Sequence, residues 1–234
     1  MTDQNIFHIP FGEAELVGDT FPAGETPEIL VLHGAGQSTR TRYTPTRERL
    51  ADAGHASVAF DHVGHGDTSG ELTGSSLKQR TDEAEAIVRF TKIPEPFAAL
   101  GGSMGGYTAL KLTETHSIST LVLCVPGVYT TQAYDVPFGE SFSAILHKKR
   151  SWEQTDAWDI IGKFTGKLLI VAAENDAVVP LEIHRRLYDS AMNAKSRELY
   201  IVPGSPHKIM PYFDENPAEF DAFIQKVQRV LEKE

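Results

Sequence analysis

The chain has 234 residues, 41% of them hydrophobic and 23% charged, a length that supports one well-buried core and reads as a single α/β domain over 1–234. A formal charge of −10 disfavours a protein that tracks nucleic-acid phosphates, because most of its surface would repel them. The lone cysteine, Cys124, excludes an intrachain disulfide and reads as a small buried residue of an apolar run.

Met1–Asn5 lacks the basic flank and apolar stretch of a secretion signal, and no apolar run approaches the roughly 18 residues of a membrane span. The expectation is a soluble, cytoplasmic protein. Short apolar runs then alternate with helical patterns along the chain. Residues 6–9 and 14–17, broken at Gly12, read as an antiparallel hairpin at a sheet edge. Residues 29–32, 57–60, 97–100, 120–123, 168–171 and 199–202 are near-continuous hydrophobic runs, the pattern of parallel strands buried on both faces. Segments 46–53, 107–115, 181–192 and 217–231 read as helices between and after them. A further helix follows Ser75 or Ser76, either of which can cap it. Leu77, Ala84, Ile87, Val88 and Thr91 form its apolar face, and its charges are assigned to the other side. The alternation predicts an α/β fold, a mostly parallel sheet of about eight strands with helices on both faces.

One stretch breaks the pattern. Residues 128–163 hold no clean strand, yet carry Tyr129, Phe138, Phe142 and Trp152 among several aromatics. A long insertion after a strand lies where open α/β sheets bind ligands, so it reads either as a lid whose aromatics line a pocket or as a helical connection that packs on the domain.

The densest chemical signal is Gly101-Gly-Ser-Met-Gly-Gly106, directly after the run 97–100. It fits G-x-S-x-G between a strand and a helix, where glycines let the neighbouring backbone pass and expose the serine hydroxyl on a sharp turn. A glycine-rich turn with a capping serine is the simpler alternative. A serine is a poor nucleophile until a base takes its proton, so Ser103 requires a histidine and an orienting acid farther along. Asp176 follows the strand at 168–171, and His207 follows the strand at 199–202. Both fall in loops at the carboxyl ends of strands, the same edge as Ser103. Glu174 competes with Asp176 for the acid role. Oxyanion donors are expected from the amides of Ala35, in the glycine loop His33-Gly-Ala-Gly36, and Met104. His33 and Gly34 border the same expected pocket. That loop also opens like a dinucleotide fingerprint, but Thr39 stands where its third glycine belongs. No cofactor is expected, and no metal, since His62, His65 and Asp67 lack a dedicated ligand motif. Arg40, Arg42 and the basic run 147–150 could meet an anionic substrate group, although most such charges are solvated.

His33-Gly34, the block Phe60-Asp-His-Val-Gly-His-Gly-Asp-Thr-Ser-Gly70, the turn around Ser103, Asp176 and His207 together make the sequence resemble α/β-hydrolase-fold serine hydrolases over nearly its whole length. The resemblance implies that the Asp61 block shapes the active-site edge without being catalytic, and that 128–163 is a short cap. It also implies a carboxylic ester hydrolase working on a small-molecule ester through Ser103, His207 and Asp176. Thioesterase, amidase, C–C hydrolase, haloperoxidase and non-catalytic receptor functions on the same fold stay open, and the oligomeric state is unspecified.

Overall fold

The computed structural model describes residues 4–22 and 24–232; the N-terminal reading of residues 1–3 lies outside them. The hairpin is longer than its sequence pattern, with β1 (Asn5–Phe11) and β2 (Ala14–Phe21) pairing antiparallel through Phe11 and Ala14. Gly12, at φ +59°, makes the tight reversal. The order continues with β3 (Ile29–Leu32), α1 (Thr44–Asp52), β4 (Ser57–Phe60), α2 (Leu77–Thr91), β5 (Phe97–Gly102), α3 (Met104–Leu112) and β6 (Ile118–Cys124). After β6 come two short helices, α4 (Glu140–Leu146) and α5 (Ala157–Lys163), then β7 (Lys167–Ala173), α6 (Leu181–Ser190), β8 (Ser196–Val202), α7 (Ile209–Glu215) and α8 (Pro217–Leu231).

The eight strands form one sheet in the order β1-β2-β4-β3-β5-β6-β7-β8, parallel from β4 through β8. Alternation along the strands feeds two cores. Leu30, Leu32, Ala99, Leu121 and Ile170 face α2, α3, α5 and α6. Ile29, Val31, Ala98, Leu100 and Val171 face α1, α7 and α8, where Phe213, Phe223 and Val227 cover them. Cys124 is fully buried, and burial pushes its thiol up to about 12, so it stays protonated.

Two expectations need correction. The run at 199–202 is not buried on both faces; β8 is an outer strand with a single neighbour, and its residues 197–201 are only partly buried. The charges of α2 do not all lie outside, because Arg80 and Glu83 are fully buried on the helix face that Leu77 and Ala84 share. Ser76, not Ser75, caps that helix, its hydroxyl accepting the Gln79 N–H at 3.0 Å. Among the described residues no helix is long and apolar enough to cross a membrane.

Parallel strands bring the loops that follow β3, β4, β5, β6, β7 and β8 to one edge of the sheet. All the residues singled out for chemistry lie in those loops or beside them.

Candidate active site

Ser103 sits between β5 and α3 at φ 51° and ψ −116°, a region that non-glycine residues rarely occupy. Its backbone is tied on both sides. The Ser103 N–H donates to the Cys124 carbonyl at 2.8 Å, and the Ser103 carbonyl accepts from Gly106 at 3.0 Å and Gly127 at 3.2 Å. The neighbouring glycines answer to steric need: a Cβ on Gly101 would overlap the Gly105 carbonyl, and one on Gly105 would overlap the carbonyls of Leu32 and His33. The turn can therefore press against β3 and leave the Ser103 hydroxyl outward.

His207 Nε2 lies 3.0 Å from Ser103 Oγ, and His207 Nδ1 lies 2.8 Å from Asp176 Oδ2. The other Asp176 oxygen accepts the N–H groups of Val178 and Val179, each at 2.8 Å. Burial opposes the Asp176 charge, but the His207 contact and the two amides outweigh it and hold the carboxyl below its ordinary range. A carboxylate on Nδ1 fixes that proton there and turns Nε2, as an acceptor, toward the serine hydroxyl.

The two loops clasp each other. Asn175 N–H donates to the Ser205 carbonyl at 2.9 Å, and Gly204 N–H donates to the Glu174 carboxylate at 2.7 Å. Glu174 thus pins the loop that carries His207, and does not contact the imidazole as Asp176 does.

The loop after β3 passes the serine closely, for a Cβ on Gly34 would stand 3.2 Å from Ser103 Cβ. Among the described residues, neither the Ala35 nor the Met104 amide donates to a protein acceptor. Met104 opens α3, whose first amides have no intrahelical partner and favour negative charge. His33 is a correction: it was expected to line the pocket, but its ring is fully buried. Its Nε2 accepts the His62 N–H at 3.0 Å, which leaves Nδ1–H to donate to the Gly34 carbonyl at 2.7 Å. Burial, with His62 and Arg80 nearby, keeps His33 neutral.

Arg40 is a second correction, since it is buried and committed. It pairs with Asp19 at 2.9 Å, with Asp67 at 2.8 Å and with Asp61, whose other oxygen accepts the Arg40 N–H at 2.7 Å. It therefore fastens the loop after β3 to β2 and to the Asp61 turn, where Gly66 leaves room for the Asp61 carboxylate. Arg42 faces Asp214 at 3.7 Å, and Arg150 pairs with Glu182 at 2.6 Å. His62 is bound to Glu83 at 2.6 Å, and among the described residues no three His, Cys, Asp or Glu side chains are grouped as metal ligands would be.

In the segment between β6 and β7, Tyr129 lies against the serine turn. Its ring is 5.3 Å from Tyr107 of α3, and a Cβ on Gly127 would meet its hydroxyl at 3.0 Å. Phe142 is buried beside Phe138, 4.8 Å between centroids, and Trp152 packs on Trp158 at 6.3 Å with Arg150 over its ring.

Residues 25–154 match the family model described as serine aminopeptidase, S33, more than half of the chain. The chain belongs to the serine aminopeptidase S33 family, with an α/β-hydrolase fold. A hydrolase from Pseudomonas aeruginosa shares this S33 protein's fold with a TM-score of 0.74, at 17% identity over 98% of this chain and 99% of that one. The S33 chain is also similar to an esterase, Rv0045c, of Mycobacterium tuberculosis, 32% identical over 89 residues, 38% of this chain and 28% of that protein. It is similar to protein phosphatase methylesterase 1 of Bos taurus, 30% identical over 133 residues, 53% of this chain and 34% of that protein. The matches thus span well under half the length of these two curated relatives.

Proposed function

We propose that this S33-family protein hydrolyses carboxylic esters of small to medium acyl or aryl groups through an acyl-enzyme. Ser103 attacks the ester carbonyl while His207 takes its proton, and His207 then protonates the leaving alcohol. Asp176 holds the imidazole tautomer and balances the imidazolium that forms. The Ala35 and Met104 amides receive the oxyanion. Water, deprotonated by His207, then releases the acid and restores Ser103. Tyr129, with Phe138 and Phe142 behind it, gives the acyl side an apolar wall, and residues 128–163 act as a short cap. The observation that carries the reading is the unbroken chain of contacts from Ser103 Oγ through His207 to Asp176, at 3.0 and 2.8 Å. The esterase and methylesterase relatives favour an ester over other acyl substrates.

Intact-mass labelling with a fluorophosphonate tests the nucleophile. One adduct is expected on the wild type and none on Ser103→Ala. A panel of p-nitrophenyl esters of graded acyl length, with the matching anilides, then separates esterase from amidase. Folded wild type that takes no label and turns over no ester would sink the proposal.

A further inference from the structure

Arg80 has no part in the reaction as written, yet it is fully buried behind the loop after β3. A guanidinium in that position needs a reason, because an isolated buried charge is costly. Its Nη2 donates to the carbonyls of His33 at 2.7 Å and Gly34 at 3.2 Å. The Gly34 carbonyl also accepts from His33 Nδ1 at 2.7 Å, so two donors hold it, one from α2 and one from its own loop. In a trans peptide the C=O and the following N–H point in opposite directions. Fixing the Gly34 oxygen toward Arg80 therefore fixes the direction of the Ala35 N–H, away from Arg80, in the loop that passes Ser103 at Gly34.

The surroundings make the clamp rigid. Glu83, one turn along α2 and also fully buried, accepts from Gln79 at 2.9 Å and from His62 Nδ1 at 2.6 Å. The His62 N–H in turn occupies His33 Nε2 at 3.0 Å, which selects the His33 tautomer that donates to Gly34. Nε and Nη1 of Arg80 have no hydrogen-bond partner among the described residues. A charge-assisted bond to the Gly34 carbonyl also polarises that peptide, which makes its N–H a stronger donor.

We propose that Arg80 is a positioning residue that aims and polarises the Ala35 N–H for the oxyanion, with His33 as its second point of hold. The inference rests on the serine-hydrolase reading, and a measurement independent of turnover keeps the two apart. In a 15N-labelled protein the Ala35 and Gly36 amides should each give a single resonance. In Arg80→Met they should split or broaden, while the resonances of β5 and β6 stay in place. In ester kinetics, Arg80→Met should lower kcat by about 10- to 100-fold with KM nearly unchanged, short of the roughly 100- to 1,000-fold that loss of an oxyanion donor costs. Arg80→Lys, which keeps a charge and donors, should recover part of the loss. If Arg80→Met does not fold, Arg80→Lys carries both measurements. In an Ala35→Pro background, where the donor is already absent, either Arg80 variant should add little further loss.

Unchanged Ala35 and Gly36 resonances, or equal losses of kcat with and without the Ala35 N–H, would overturn the clamp. Released resonances in a wild-type protein that turns over no ester would instead uphold the hold on the loop and sink the hydrolase reading.

Discussion

A Cβ at Gly102 would overlap the hydroxyl of Tyr43, a buried residue. The position is thus closed by the end of one side chain, chiefly its oxygen with the ring carbon Cζ behind at 3.1 Å, unlike Gly101 and Gly105, where backbone stands in the way. Gly102→Ala should cost about 1–3 kcal/mol, the usual range for overpacking, and Tyr43→Phe in the same chain should recover much of it. Urea unfolding of the single and double variants measures both; a double variant no better than the single would mean the strain lies elsewhere. Ser103, Asp176 and His207, which the structure brings into contact, could be picked out of the sequence because the proposed chemistry calls for three residue types and a parallel sheet gathers its strand ends at one edge. Arg80 and Glu83 could not be assigned the same way. Charged residues on a helix read as its wet face, although the spacing Leu77, Arg80, Ala84, Ile87 puts Arg80 on the apolar stripe. Arg40 was misread for a related reason: a sequence shows a charge after a glycine loop but not the three carboxylates that enclose it.

At the level of elements, residues 128–163 are held to the body by core packing through Ala133, Phe142, Ala157, Ile160 and Ile161 and by a few side-chain ties. Tyr107 donates to Asp156 at 2.7 Å, and Lys111 pairs with the other Asp156 oxygen at 3.1 Å, both from α3. Arg150 reaches Glu182, and Arg186 lies over the Trp158 ring at 4.5 Å, both involving α6. Asp156→Ala removes the two α3 ties together. Hydrogen exchange across 140–163 should quicken by about tenfold, the factor for ~1.4 kcal/mol, while β5, β6 and β7 keep their protection. If the segment acts as a cap, kcat/KM for long acyl esters should change more than for acetate; equal change would argue for a plain connection. β3, β4 and α8 have the boundaries their patterns predict, since each is an apolar run or a strongly amphipathic helix with clear ends. The short helix α7 left no pattern, being seven residues with Pro211 inside. The half-exposed state of β8 is likewise a matter of its place in the sheet, which local hydrophobicity does not encode.

Across the whole molecule, His33, His62, His65 and His184 are all buried, and burial lowers the pKa of each, that of His184 to about 4. The sign follows from linkage. Below the ordinary imidazole value of 6.5 the unfolded chain takes up protons that the folded one refuses, so stability falls as pH drops. For His184 the loss ends near pH 4, where both states are charged, and amounts to ~3 kcal/mol. Thermal unfolding should therefore shift steadily downward from pH 6.5 toward 4, and His184→Gln should flatten that slope by about one proton; an identical slope would show that His184 does not titrate in this range. The placement of Ser103 after β5 and of Asp176 and His207 after β7 and β8 has a consequence for assembly. A ribosome releases Ser103 well before Asp176 and His207, and the last two strands must dock before the three side chains can meet. On the proposed reaction, turnover would report completed folding, and a chain divided between α5 and β7 would yield two inert pieces whose reunion could be followed by ester cleavage alone.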